Sequence, residues 1–499
     1  MTNIQRTQVA IIGTGFGGIG MAIQLQKAGF SDFVLLEKEQ ALGGCWRDNS
    51  YPAAACDVPS HLYSFSFEPK HDWSRKFAPQ AEIYQYIKHC AIKYGILQKI
   101  QFNQEVESAY FDDKQQLWVI KTTRQTLLAT ILISACGQLN RPAYPKLKGI
   151  ENFKGEVFHS ARWHHDYDLN NKRVAVIGTG ASAIQFVPEV AKQAKHLTLF
   201  QRSAPYVIPK PDRAYGQFEQ QIYAKLPLLQ NLSRGLMYGN HEVRALAFTS
   251  LNKIAMKPYT WQFMRYLQQS VKDPVLRAKL TPDYPLGCKR ILISNDYYPA
   301  LCRHNVSVVT EAISEVTAHA IKTKDGQHHE VDAIIYGTGF AATDFLAPMK
   351  ITGRDGIELN QAWRDGAEAY LGMTVHGFPN LFILYGPNTN LGHNSIVYML
   401  ECQFAYIMDA LQQMRRQQWQ TVEVKAQTQS VYNQWVQTQL QDTVWAGACD
   451  SWYKTESGKN TNNWVGFTLL YRYKTRQFDS SDYLVQTKLT ARPLTAVAA

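Results

Sequence analysis

The chain of 499 residues has no uninterrupted apolar run long enough to cross a bilayer, which excludes a transmembrane helix as its organising feature. It is also poor in organised cysteine. The eight cysteines are scattered singly, at positions such as Cys45, Cys136 and Cys288, without a CxxC pair. That excludes a redox-active disulfide motif of the usual spacing and makes free thiols in a reducing cytoplasm the expectation. No metal site is expected. The opening MTNIQRT lacks a basic start followed by an apolar core, so no secretory signal is expected. No basic stripe is interleaved with aromatics, so nucleic acid is not an expected partner. The formal charge of +11 suits solubility or phosphorylated ligands. With 45% hydrophobic and 19% charged residues, the composition is that of a soluble chain of two or three domains.

What is present is glycine in a particular order. VAIIGTGFGG starts at Val9 and contains Gly13, Gly15, Phe16 and Gly18. It lies between a short apolar run and a helix-compatible stretch reaching about Ala28, with a second strand expected at Val34–Glu37. Strand, tight turn, helix, strand is the dinucleotide-binding unit, with pyrophosphate on the helix N-terminus. A second copy, VAVIGTGASA, starts at Val174 with Gly178, Gly180, Ala181, Ser182 and Ala183, followed by a strand at Leu197–Phe200.

The two copies differ by one charge. Twenty-four residues beyond Gly13 lies Glu37, and the same count from Gly178 reaches Arg202. A carboxylate there accepts from a ribose diol, whereas a guanidinium pairs with a 2′-phosphate. The first unit therefore fits the adenosine of FAD and the second fits NADPH rather than NADH. The unit ends also repeat. Ala129–Gly137 and Val331–Gly339 each read as a buried strand closing on a glycine turn, each after a hairpin strand region, Leu117–Thr123 and Val316–Thr323.

The fold expected is α/β: two Rossmann-like domains, the NADPH domain inserted into the FAD domain. The boundaries expected are 1–143 for the first part of the FAD domain, 144–340 for the NADPH domain and 341–499 for the second part. A helical insertion is expected at about 214–280, packed on the body of the protein, with peripheral membrane contact as the alternative. The sequence leaves the oligomeric state open.

Between the two loops runs FKGEVFHSARWH, with Gly155, His159 and Trp163 four residues apart. Phe153-x-Gly155-x-x-x-His159-x-x-x-Trp163 resembles the signature of the Baeyer–Villiger monooxygenases, where Pro or Asp follows the tryptophan; here His164 does. A second family motif is matched by Gly43-Gly44-x-Trp46, Tyr51-Pro52 and Asp57, with Ala53 where the family has Gly or Met. The resemblance runs from Gly13 to Trp464. It implies that His159 lies at the hinge between the domains. It implies an FAD- and NADPH-dependent enzyme that inserts one atom of O2 beside a ketone carbonyl, giving an ester or lactone by way of a C4a-peroxyflavin.

The same resemblance implies roles for further residues. GCKRILISNDYYPAL maps its active-site arginine onto Arg290, and Asp57 onto the carboxylate that pairs with it. Lys289 maps beside Arg202 and Ser203 at the NADPH 2′-phosphate. Tyr63 and Val106 match positions lining the FAD site. His376–Ile396 resembles the returning FAD-domain strand and the loop over the flavin, so Ile396 is counted with the FAD contacts. SWYKTESGK resembles a lid whose tryptophan, Trp452, covers the nicotinamide. A fixed cation beside an anionic adduct suits Arg290 because a guanidinium stays protonated at any working pH.

Three rivals remain at this point. An N- or S-oxygenating flavin monooxygenase needs no such arginine. A pyridine nucleotide–disulfide reductase needs a cysteine pair. A flavoprotein that only senses NADPH needs none of this chemistry.

Overall fold

The computed structural model describes residues 4–249, 251–447 and 451–487. Residues 488–499, counted above with the last segment, lie outside them.

Two parallel cores organise the molecule. In the first sheet, Ile4–Ile12 lies between Phe33–Leu36 and Thr126–Ser134, parallel to both. Val9, Ala10 and Ile11 are wholly buried, which is what a strand covered on both faces requires. The Phe16–Lys27 helix follows Ile4–Ile12 and packs on the long Ile396–Arg416 helix. Leu117–Thr122 and Val106–Asp112 extend the sheet antiparallel beyond Thr126–Ser134. Leu381–Ile383 joins much later, parallel to Leu132–Ser134.

The second sheet has five strands, all parallel. In order they are Val306–Val309, His196–Phe200, Arg173–Ile177, Ala333–Tyr336 and Glu156–His159. The Ala183–Gln193 helix covers one face. The stretch read as a hairpin strand region, Val316–Thr323, lies in a hairpin: Ile313–Val316 and Ala320–Thr323 pair antiparallel, and His328–Glu330 adds a third strand.

The sequence duplication has a structural counterpart in two glycines. Gly13 and Gly178 both hold positive φ, +100° and +109°. A Cβ on either would meet a carbonyl oxygen, that of Ala135 at 2.7 Å and that of Gly337 at 2.4 Å. Only glycine permits both the turn and the approach.

The chain passes twice between the sheets, and the two passages are tied together. Ala143 N–H donates to Gly339 O and Ala341 N–H to Arg141 O, at 2.9 and 3.0 Å. Between Gln217 and Lys279 the chain is helical, the largest element being Pro227–Val243.

Candidate active site

Both glycine loops end in a helix start without a side-chain cap and without an acidic residue in the first turn. Such a start leaves N–H groups and a positive dipole end for a pyrophosphate. At the first loop Glu37 is buried at the end of its strand. It accepts from the Thr14 hydroxyl, from Glu39 N–H at 3.0 Å and from Arg47 Nη1 at 3.1 Å. Arg47 also pairs with Asp48 and holds the Gly43–Gly44 turn close to Gly15. Beside this lie three aromatic rings. Phe16 packs edge-on against Tyr63 at 5.2 Å, and Trp46 Nε1 donates to Tyr63 Oη at 3.2 Å. Val106 is buried at the start of its strand, near the backbone that Gln104 ties to Glu37. Ile396 opens its helix directly after the Ser395 cap and packs on the same core.

At the second loop, Lys289 Nζ donates to Ser203 Oγ at 3.1 Å and lies over the Tyr284 ring at 4.5 Å. Thr179, between Gly178 and Gly180, donates to Ser203 O. Ser203 and Lys289 thus meet beside the loop, with Arg202 exposed next to Ser203. The Gly43–Asp57 motif is fastened to this domain through Gln185. Gln185 accepts from Tyr51 Oη and from Ala55 N–H, and donates to Ala55 O, all within 3.0–3.2 Å. In the same turn Ala53 holds φ +60° at an exposed position, a conformation that costs a β-carbon residue roughly 1–2 kcal/mol.

Asp57 and Arg290 are brought together. Arg290 donates from Nε and Nη2 to one oxygen of Asp57, at 3.0 and 2.6 Å. Both side chains keep just under a third of their surface open, so the pair is partly accessible. Burial pushes the Asp57 carboxyl towards its neutral form, but the Arg290 guanidinium, with Lys210 behind it, outweighs this and holds the carboxyl below its ordinary range. Asp57 in turn raises Arg290 further against the effect of burial. The result is a cation fixed in its protonated state. Tyr453 and Tyr385 both lie near Arg290 and are kept neutral by burial. Tyr385 sits at φ +57° and Asn388 at φ +56°, so the loop after Leu381–Ile383 is held in an unusual backbone state. Asn388, Asn390 and Asn394 are spent on structure: they bond to Asn460 O, to Asn463 Oδ1 and to Glu242.

The ladder residues separate. Gly155 lets its strand approach Asp332 O, which a Cβ would meet at 2.2 Å. His159 is fully buried, accepts from Ala161 N–H at 3.1 Å, and faces Tyr144 and Phe340, one from each passage between the sheets. Burial lowers it to about 4, so it is neutral. Trp163 packs on Phe158 and Phe186 within the second domain. His164 pairs with Glu156 at 2.7 Å. Trp452 is 36% exposed and packs at a tilt on buried Tyr453, with ring centroids 4.4 Å apart.

The expectation of free thiols fails at Cys288, which is disulfide-bonded. Its nearest cysteine in sequence, Cys302, is free, so the bond joins distant segments and no local spacing announces it. Cys449 lies outside the described residues. Tyr385, Tyr453, Lys210, Gln185 and Arg47 were not expected at the site. Tyr385 and Tyr453 stand inside the two segments already singled out. Arg47 directly follows Trp46 of the Gly43–Asp57 motif and Gln185 lies two residues beyond Ala183 of the second glycine unit, while no sequence signal marks Lys210.

Comparison with known proteins agrees with this geometry. Residues 10–247, which span both glycine loops, match the family model described as pyridine nucleotide-disulphide oxidoreductase. A Baeyer-Villiger monooxygenase of Pseudomonas aeruginosa is 50% identical over 98% of this chain and 93% of its own length. One of Streptomyces coelicolor is 45% identical over 96% and 93%. The chain belongs to the Baeyer–Villiger monooxygenase family. Among solved structures, an oxidised steroid monooxygenase bound to NADP aligns with TM-score 0.85 at 28% identity, over 96% of this chain and 99% of that one. A closed cyclohexanone monooxygenase aligns with TM-score 0.86 at 26% identity, over 97% and 100%. The reductase-like description of the family model therefore reflects the shared dinucleotide-binding plan. The Baeyer–Villiger relatives cover the active-site segments beyond residue 247 as well.

Proposed function

We propose that this Baeyer–Villiger monooxygenase works through the Arg290–Asp57 pair, and that this pair is what makes it a ketone oxygenase. The enzyme converts a ketone to an ester or lactone with FAD, NADPH and O2. When bound, FAD takes hydride from NADPH and activates O2. The protein's own task is to hold a ketone beside that chemistry and to stabilise the negative charge that builds on the ketone oxygen as its carbon is attacked. Arg290 carries a permanent positive charge for this, and Asp57 fixes the direction of its N–H groups. A preorganised donor of this kind contributes roughly 3–4 kcal/mol to the transition state. An N- or S-oxygenase places no such demand on a cation.

The remaining assignments belong to the same reading. Gly13, Gly15, Phe16 and Gly18 hold the FAD pyrophosphate end, and Glu37 its ribose. Trp46, Asp57, Tyr63, Val106 and Ile396 line the flavin side. Gly178, Gly180, Ala181, Ser182 and Ala183 receive the NADPH pyrophosphate. Arg202, Ser203 and Lys289 receive its 2′-phosphate, with Arg290 and Trp452 towards the nicotinamide. The uncapped helix starts, the buried Glu37 and the Lys289–Ser203 contact fit these groups. The domains run 1–143, 144–340 with a helical insertion at about 214–280, and 341–499. His159, between the two passages, serves as the hinge, with Gly155 and Trp163 supporting it. No helix among the described residues is long and apolar enough to cross a membrane. A cytoplasmic setting, which supplies NADPH, completes the reading.

The single observation carrying it is the two-bond contact of Arg290 with one oxygen of Asp57. A product screen by gas chromatography across linear, cyclic and aryl ketones, with NADPH, tests it. Ester or lactone from at least one class supports the reading. Sulfoxide or N-oxide from added sulfides and amines, with no ester from any ketone, overturns it.

A further inference from the structure

The Pro227–Val243 helix is built inside out. Leu228, Leu232, Leu236 and Val243 are 82, 60, 68 and 64% exposed. At 3.6 residues per turn they fall within an arc of about 80°. The roughly opposite face is polar and turned into the protein. Gln230 donates to Lys70 O and to the His61 ring, Arg234 to Ser64 O, and Tyr238 pairs with Thr468. Glu242, at the edge of the leucine arc, is buried and accepts from Thr468 and from Leu469 N–H. A surface helix ordinarily does the reverse, so the outward leucines are held out by a hydrogen-bonded inner face, and no element among the described residues covers them.

The surface continues past Val243. A groove of about 630 Å³ runs between this helix and the three that follow, lined by Val243, Ala247, Leu251, Ala255 and Tyr259, with Arg244 among its polar residues. Its floor backs onto the segment bearing Arg290. Ala247 belongs to the buried cluster of Met256, Leu286 and Trp445, and the Met256 methyl lies 2.6 Å from where a Gly287 side chain would begin.

Charge decides what covers such a surface. Between Gln217 and Lys279 there are nine Lys and Arg against three Asp and Glu. Of the three acids, Glu219 is paired with Arg213 and Glu242 is buried, while Lys225, Lys253, Lys257 and Arg265 are exposed. Arg265 lies over the ring of Trp261, which is itself 64% exposed. A second copy would bring these cations against one another. An anionic bilayer surface would neutralise them while taking up the leucines.

We propose that the outward face of Pro227–Val243, with the adjoining groove, docks on an anionic membrane surface and admits apolar ketones dissolved there. The docking stands on its own observations, and only the naming of ketones as cargo rests on the reaction assigned above.

Flotation of the FAD-loaded enzyme with phosphatidylcholine vesicles, with and without phosphatidylglycerol, tests it. The wild type floats with the anionic vesicles and is released by high salt. Leu228→Ser with Leu232→Ser and Leu236→Ser, and separately Lys253→Glu with Lys257→Glu, each lose roughly tenfold or more of this binding. Both variants keep wild-type turnover of a water-soluble ketone. Absence of the wild type from the anionic vesicle fraction overturns the proposal. So does a sedimentation profile in which the wild type is a dimer that the leucine variant dissolves. Vesicle binding is read without turnover, so its failure is separate from any failure of the reaction assignment.

Discussion

Lys289 reaches Ser203 across 86 residues of chain and donates to its hydroxyl at 3.1 Å, next to Arg202. We read two cations and a hydroxyl beside the second glycine loop as the site proposed for the 2′-phosphate dianion. NADPH should therefore be used far better than NADH. Lys289→Ala should raise KM for NADPH by roughly ten- to a hundredfold, the worth of one charge-assisted hydrogen bond, and leave KM for NADH little changed. Arg202→Ala should act in the same direction. Steady-state kinetics with both coenzymes decides the matter, and equal wild-type efficiency with the two would remove the assignment.

His159 gives a pH signature that is independent of turnover. Burial lowers it from 6.5 to about 4, so the unfolded chain binds its proton more readily than the folded one. Its neutral burial costs nothing above pH 6.5, and stability is lost as pH falls from there through about 4. The loss from this one group is at most roughly 3 kcal/mol. His159→Asn retains an acceptor for Ala161 N–H but cannot titrate. Its stability should fall less steeply across that window, by up to one proton, while the other buried histidines keep their share. Denaturant unfolding at a series of pH values measures the slope.

Trp452 tests the lid. It is partly exposed, so Trp452→Ala should change stability little. Without it, water should enter above Tyr453. Expected is normal FAD content, continued NADPH oxidation, and a shift of product from ester to hydrogen peroxide. Unchanged coupling of NADPH consumption to ester would place Trp452 away from the nicotinamide.

Legibility in the sequence followed the range of the physics. The two parallel units were readable because strand, turn and helix are local, and because Gly13 and Gly178 are forced by backbone geometry. The single-charge difference between Glu37 and Arg202 was readable because it sits at a fixed distance from each glycine. The pairing of Asp57 with Arg290 was not, since 233 residues separate them; family resemblance supplied it. Lys210 acts across the fold and nothing in its neighbourhood marks it, whereas Arg47 and Gln185 stand in or beside the glycine-rich segments, and only the reach of Gln185 to Tyr51 and Ala55 was beyond the sequence. The disulfide at Cys288 was missed for the same reason. The Pro227–Val243 helix misled in another way. Its apolar residues are periodic, which normally means a face packed inward, and here that face points out.

The central claim is that a permanent cation at position 290, aimed by Asp57, makes the reaction possible. The most direct measurement is the rate of ester formation by Arg290→Ala, Arg290→Lys and Asp57→Ala, alongside FAD content and the rate of flavin reduction by NADPH. The FAD pyrophosphate is assigned to the Gly13 loop and not to Arg290, so Arg290→Ala should retain FAD. It should still be reduced, though more slowly, and form ester about a hundred- to a thousandfold more slowly than the wild type. Arg290→Lys should recover part of the rate, because it keeps the charge and loses the planar fork. Asp57→Ala should fall between the wild type and Arg290→Ala. Ester formation by Arg290→Ala at a rate near that of the wild type would contradict the account.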